Sequence, residues 1–126
     1  MVTADKKSGS VSADSVLSEI RPHTCLVSII LANNETGIIQ VGKKHDEGKE
    51  RTARPHFYIL FQPISDIGKR IASHNDKLRT ESTDDVFRVL FHSDAAQAIG
   101  KIPISVKDLN VDYLTIVGHK VSVKKV

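Results

Sequence analysis

Apolar residues recur along this chain in two rhythms, and the alternation between them lays out the elements. In "VSADSVLSEI" Ser12 is placed as a helix N-cap, and Val16, Leu17 and Ile20 fall on one helical face. The pattern predicts a short amphipathic helix ending near Arg21 and Pro22. "CLVSIILA" is instead an unbroken apolar run of strand length, as expected of a strand covered on both faces, and it runs into the polar turn "NNETG". Farther on, "PISDIGKRIASHNDKL" sets Pro63 ahead of Ile64, Ile67 and Ile71 at three- and four-residue spacing, which predicts a second and longer amphipathic helix. "VFRVLFHSDA" reads as a second strand, with "AAQAIG" opening a helical turn directly from its end. "VKDLNVDYLTIVG" gives a brief helical turn and a third strand, expected to be buried, over Tyr113 to Val117.

Helix, strand, helix, strand, short helix, strand is the order of an α/β fold with a parallel sheet and helices packed on its faces. In such sheets ligands sit beyond the carboxyl ends of the strands. The polar clusters "NNETG", "HSDAAQ" and "GHK" each follow a strand at that end. If the strands are parallel neighbours, Asn34, Asp94, Gln97, His119 and Lys120 gather on one rim although they lie far apart in sequence.

Composition bounds what that rim serves. The 126 residues suffice for one domain of ordinary size, and the net charge of +3 comes largely from two local clusters, Lys43 to Arg54 and Lys124 with Lys125. That distribution argues against nucleic-acid binding. There is no apolar run of membrane-spanning length, so no membrane partner and a cytoplasmic location are expected. Cys25, the one cysteine, stands in the first predicted strand and is expected to be a buried, inert thiol. His45 and His56 lack metal-ligand spacing, and no metal is expected. A nucleotide-binding α/β domain would call for a glycine-rich turn after the first strand, and "NNETG" offers one glycine.

An aspartate on one strand tip and a lysine on another could be a salt bridge between loops. They also answer the needs of pyridoxal phosphate, whose aldehyde bonds to a lysine amine while a carboxylate keeps the pyridine nitrogen protonated. Gln97, one helical turn after Asp94, could donate to the ring's phenolic oxygen. Asn34 could approach from the neighbouring strand end.

"LVSIILANNETGIIQ" and "HSDAAQAIGKIPISVKDLNVDYLTIVGHK" resemble the large-domain core of the class V aminotransferase-like enzymes, the cysteine desulfurase and selenocysteine lyase group. The resemblance covers roughly 11–40 and 63–120, and is strongest on the lyase side. It implies a fold type I, pyridoxal-phosphate-dependent parallel-sheet core. It gives Lys120 the place of the lysine bonded to the cofactor, and Asp94 that of the partner of the pyridinium nitrogen. Gln97 matches the residue at the phenolic oxygen, His119 sits beside the cofactor, and Asn34 faces cofactor and substrate. Many desulfurases carry a serine three places before the lysine as a phosphate contact; here that place is Val117, as in lyase-like members.

The resemblance further implies a small amino-acid substrate, selenocysteine converted to alanine with release of selenium, or else cysteine. It also implies a homodimer for the full-length enzyme. Cys25 matches a strand position, and the catalytic cysteine of the family belongs to a segment beyond the lysine. We therefore read 1–126 as part of a cofactor-binding large domain, catalytically inactive in isolation, with a non-catalytic truncated product as the competing reading. On the same comparison 41–62 is an insertion and 121–126 a tail without family counterpart, and Met1 is an alternative or artefactual start. Both stretches begin with valine, whose codon starts GT, and "FYILFQ" permits a pyrimidine-rich tract ending in CAG; translated intron sequence is expected.

Overall fold

The computed structural model describes residues 1–39, 62–81 and 87–120. The expected insertion, save for Gln62, and the tail 121–126 lie outside the described residues, as do His45 and His56. The elements follow the predicted order: α1 (Ala13–Ser18), β1 (Leu26–Ile30), α2 (Gln62–Glu81), β2 (Leu90–Asp94), α3 (Val106–Leu109), β3 (Tyr113–Thr115) and a closing 3-10 turn over Gly118–Lys120. Among the described residues no helix is long and apolar enough to cross a membrane.

The three strands form one parallel sheet in the order β1-β2-β3. Ile30 pairs with Asp94 and Asp94 with Thr115, so all three strands reach their carboxyl ends in register. The sheet presents one face to α2. Phe91 and Ser93 are buried there, whereas Leu90, His92 and Asp94 alternate onto the opposite face and are partly covered.

Ile64, Ile67 and Ile71, the stripe legible from their spacing, are buried together with Leu31, Val89, Phe91, Ala95 and Leu109. α2 opens one residue earlier than expected, at Gln62, which places Pro63 in the first turn, where its missing N–H costs nothing. Asn75 on α2 ties helix to strand: its Nδ2 donates to the Val89 carbonyl and its Oδ1 accepts from the Val89 N–H, both at 2.9 Å. The same side chain thus satisfies both backbone groups of the residue that leads into β2.

Three expectations need correction. α1 stops at Ser18, short of Arg21, because Arg21 and Thr24 close a turn instead: the Arg21 N–H donates to Thr24 Oγ1 and the Thr24 N–H to the Arg21 carbonyl, each at 2.9 Å. Its N-cap is as read, with Ser12 Oγ accepting from the Ser15 N–H at 3.0 Å. The second correction concerns strand cover. β1 and β3 are the outer strands of the described sheet, and the face opposite α2 is open, so Leu26 is 50% exposed and Tyr113 58%. The third is Cys25, which is exposed. It stands one position before the paired stretch of β1, where the cover that closes over Leu31 has not begun.

Gly68 marks where α2 and the end of α3 come closest. A Cβ there would lie 2.6 Å from the Asn110 carbonyl oxygen and 2.7 Å from that of Leu109. Asn110 is itself fixed as the left-handed C-cap of α3, with φ 51°. Alanine ordinarily stabilises a helix interior by about 1 kcal/mol over glycine. Here Gly68→Ala is expected to destabilise by about 1–3 kcal/mol, because backbone atoms must move apart; urea unfolding of the two proteins checks the sign.

Candidate functional site

Each candidate residue is carried past the end of a strand by a short, locally determined turn. After β1 the chain folds back over 33–38, closed by the Ala32–Ile39 bridge, by Asn33 N–H donating to the Ile38 carbonyl at 2.9 Å, and by Gly37 at φ 69°. Asn33 does the shaping: its Oδ1 accepts from the Glu35 and Thr36 N–H groups, both at 2.9 Å. Asn34 rides exposed on this turn. Sequence reading singled out Asn34 and passed over Asn33, although an Asx-turn residue two places before the acidic position is a recognisable signal.

Asp94 is the last residue of β2, the middle strand. Its Oδ1 accepts from the Ala96 N–H at 2.9 Å, which fixes the carboxylate orientation, and the described residues supply no partner for Oδ2. Among the described residues the site therefore holds a half-buried carboxylate with one oxygen pinned and the other left open. From there Ala98 and Ile99 donate back to the Ala95 carbonyl at 2.9 and 3.0 Å, the helical turn expected of "AAQAIG". Gln97 sits on that turn, half-buried, with its Oε1 accepting from Lys101 Nζ at 3.1 Å. That contact takes up the amide oxygen and leaves the NH2 as a donor.

The third tip follows β3. The Ala95 N–H donates to the Thr115 carbonyl at 2.9 Å, so the tips of β2 and β3 stay joined one residue beyond the Asp94–Thr115 pair. After Ile116 and Val117 the chain turns through Gly118–Lys120. His119 is exposed on this turn. Lys120 is described in its backbone, and its side chain lies outside the described residues.

The topology accordingly brings the turns bearing Asn34, Asp94 with Gln97, and His119 with Lys120 to neighbouring strand ends of one sheet. Among the described side chains Asp94 forms no salt bridge, and its hydrogen-bond donor is the Ala96 N–H. Among the described residues no group of three or more His, Cys, Asp or Glu side chains could hold a metal ion.

Below the tips, on the open face, His92 bonds through both ring nitrogens: Nδ1 with Ser28 Oγ at 2.7 Å and Nε2 with Thr115 Oγ1 at 2.8 Å. Asp112 anchors the start of β3, pairing with Arg88 and accepting from the Phe91 N–H through Oδ2 at 2.8 Å. Neither arrangement was read from the sequence, since their partners lie 21 to 64 residues apart.

Residues 81–123 match the aminotransferase class-V family model. Over 119 residues the chain is 42% identical to selenocysteine lyase of Rattus norvegicus, an alignment that takes in 94% of this chain and 22% of that protein. It is 38% identical over 114 residues to cysteine desulfurase IscS of Methanosarcina thermophila, covering 90% of this chain and 20% of that one. Among solved structures, SspA in complex with cysteine superposes with a TM-score of 0.57 at 30% identity, over 95% of this chain and 24% of that one. The chain thus spans about a fifth of the length of the curated relatives it matches. The parallel sheet with its helices is the fold it shares with these enzymes.

Proposed function

We propose that this chain, which carries a class-V aminotransferase segment, supplies the strand-end half of a pyridoxal phosphate site in a lyase that converts selenocysteine to alanine and releases selenium. One observation carries the reading: Asp94, oriented by the Ala96 N–H and with Oδ2 available, ends the middle of three adjacent parallel strands, and the strand beside it leads to Lys120. An oriented, half-buried carboxylate with one oxygen open suits a pyridinium N–H, so the residues present fit the cofactor at that end.

Bound there, pyridoxal phosphate supplies an electron-withdrawing ring that stabilises negative charge at the substrate's alpha carbon. Asp94 accepts the ring N–H and, by its charge, keeps that nitrogen protonated. Gln97 donates its amide N–H toward the phenolic oxygen. Lys120 would hold the cofactor through its amine and, once the substrate's amine has taken that place, the freed lysine amine would move the alpha proton as base and acid. His119 would lie beside the ring, and Asn34 would face cofactor and substrate from the turn after β1. Val117 offers no hydroxyl for a phosphate, which leaves that anchor to residues outside this set.

Selenocysteine is proposed ahead of cysteine as substrate because selenocysteine lyases match at 38–42% identity and cysteine desulfurases at 36–38%. SspA, a related fold, has been seen with cysteine, and a small amino acid bearing sulfur or selenium is the substrate class proposed here. A cytoplasmic homodimer without nucleic-acid or membrane partners completes the proposal for the whole enzyme, and 41–62 and 121–126 are proposed to be additions to its core.

For this chain by itself we propose cofactor binding without turnover. The open sheet face and the two outer strands favour this second reading, because much of the surface that would enclose a substrate is uncovered. Adding pyridoxal phosphate to the purified chain, reducing with borohydride and mapping the modified peptide tests both. A cofactor adduct on the peptide holding Lys120 is expected, without release of selenium or alanine from selenocysteine. A folded chain with no adduct there would refute the proposed site.

A further inference from the structure

His92 is built into the sheet in a way that packing alone does not require. It stands two residues before Asp94 on β2 and on the same open face, since Phe91 and Ser93 take the buried side. The register sets Ser28 of β1 and Tyr113 of β3 directly across from it. Its Nδ1 meets Ser28 Oγ at 2.7 Å, as the register provides. Its Nε2 does not engage Tyr113. It reaches Thr115 Oγ1 at 2.8 Å, two positions farther along β3. The ring therefore leans toward the carboxyl ends of the strands and spans all three.

Thr115 is where that lean matters. It pairs with Asp94, its carbonyl accepts from the Ala95 N–H at 2.9 Å, and it is the last residue of β3 before the chain proceeds to Gly118–Lys120. β3 has three residues, with Tyr113 and Thr115 exposed, and a parallel ladder that short is weakly held. Among the described residues His92 is the side chain that joins the strand bearing Asp94 to the residue from which the Lys120 turn departs.

We propose that His92 is a positioning residue: clamped between Ser28 and Thr115, it fixes the spacing between the Asp94 tip and the Lys120 tip. This rests on the pyridoxal phosphate reading of the rim, where two groups must grip opposite ends of one ring and a displacement of about 1 Å costs on the order of a hundredfold in rate. His92 touches neither cofactor nor substrate in this scheme. Neutral imidazole suits the clamp, because one nitrogen donates and the other accepts, and a hydroxyl answers either.

The test uses conservative substitutions in the full 126-residue chain and two readouts. Glutamine places its amide nitrogen near the position of Nε2 and asparagine near that of Nδ1, so His92→Gln retains the Thr115 bond and His92→Asn the Ser28 bond. Without cofactor, amide exchange at Ala95 is expected to quicken about fivefold or more in His92→Asn and Thr115→Val, and to stay near wild type in His92→Gln. With pyridoxal phosphate, affinity is expected to fall about five- to tenfold in the first two and to hold in the third.

A role in stability alone would weaken Gln and Asn variants alike and leave affinity unchanged once stability is matched. Unchanged Ala95 exchange in folded His92→Asn would overturn the clamp, whether or not the chain binds cofactor. Faster exchange with unaltered affinity would overturn the positioning role. A wild-type chain that takes up no cofactor removes the pyridoxal phosphate reading and with it the positioning role, while exchange at Ala95 separately decides the clamp.

Discussion

Replacing Lys120 with alanine is expected to abolish site-specific capture of pyridoxal phosphate by this chain. The effect is large because it removes a covalent bond, and the remaining contacts proposed for the rim are hydrogen bonds of about 1–3 kcal/mol each. Lys120 is not the only amine available: Lys101 and Lys107 also follow β2 in the chain and can react with an aldehyde in solution. What sets Lys120 apart is its place just past β3, beside the Asp94 tip, where a bound ring is held in reach and effective concentration raises adduct formation by orders of magnitude. The discriminating measurement is therefore peptide mapping after borohydride reduction. Wild-type chain should carry the reduced adduct at Lys120 at low cofactor concentration. Lys120→Ala should show scattered, low-level modification with no preferred lysine and no absorbance band distinct from free cofactor. A band and a single preferred site surviving in Lys120→Ala would move the covalent role elsewhere.

The parts of this site that sequence made legible are those fixed by local periodicity. Three- and four-residue spacing picked out Ile64, Ile67 and Ile71, and all three are buried. Three apolar runs separated by helical segments implied parallel strands, and adjacency in the order β1-β2-β3 places their polar tips side by side. Exposure was not legible, because an apolar run reports what a strand can bury and not what covers it. Leu26, Tyr113 and Ile116 are about half exposed, since they belong to the open face or to the chain just past β3. The same limit misplaced Cys25, whose apolar neighbours say nothing about a position one residue ahead of the paired stretch. Long-range ties were hidden for another reason. Asn75 with Val89, His92 with Ser28 and Thr115, and Asp112 with the Phe91 N–H join residues 14 to 64 apart, and each depends on the register of the finished sheet. Single polar residues in helices and strands carry no periodic signal of such pairing.

Asp94→Asn should separate the charge of this side chain from its shape. Asparagine presents an amide oxygen where Oδ1 stands, so the bond from the Ala96 N–H and the turn that carries Gln97 are expected to survive. The loss falls on Oδ2, where a neutral amide replaces the oxygen proposed to accept the ring N–H. A hydrogen bond to a charged group contributes about 1.5–3 kcal/mol, so pyridoxal phosphate should bind about ten- to a hundredfold more weakly. The ring nitrogen should lose its proton as well, because the negative charge that favours the protonated form is gone. Nitrogen-15 NMR of labelled cofactor on the wild-type and Asp94→Asn chains reads this directly, with a protonated signal expected in the first and an unprotonated one in the second. Asp94→Ala removes the Ala96 contact too, so it should also loosen the 95–99 turn, visible as faster exchange of the Ala98 and Ile99 amides. Asp94→Glu keeps the charge and lengthens the arm; because Oδ1 is held by a backbone N–H two residues on, the longer side chain cannot keep that bond and present the same second oxygen. If asparagine and aspartate gave equal affinity and the same protonated signal, the carboxylate would serve the turn alone, and the pyridine end of the site would have to be sought on another residue.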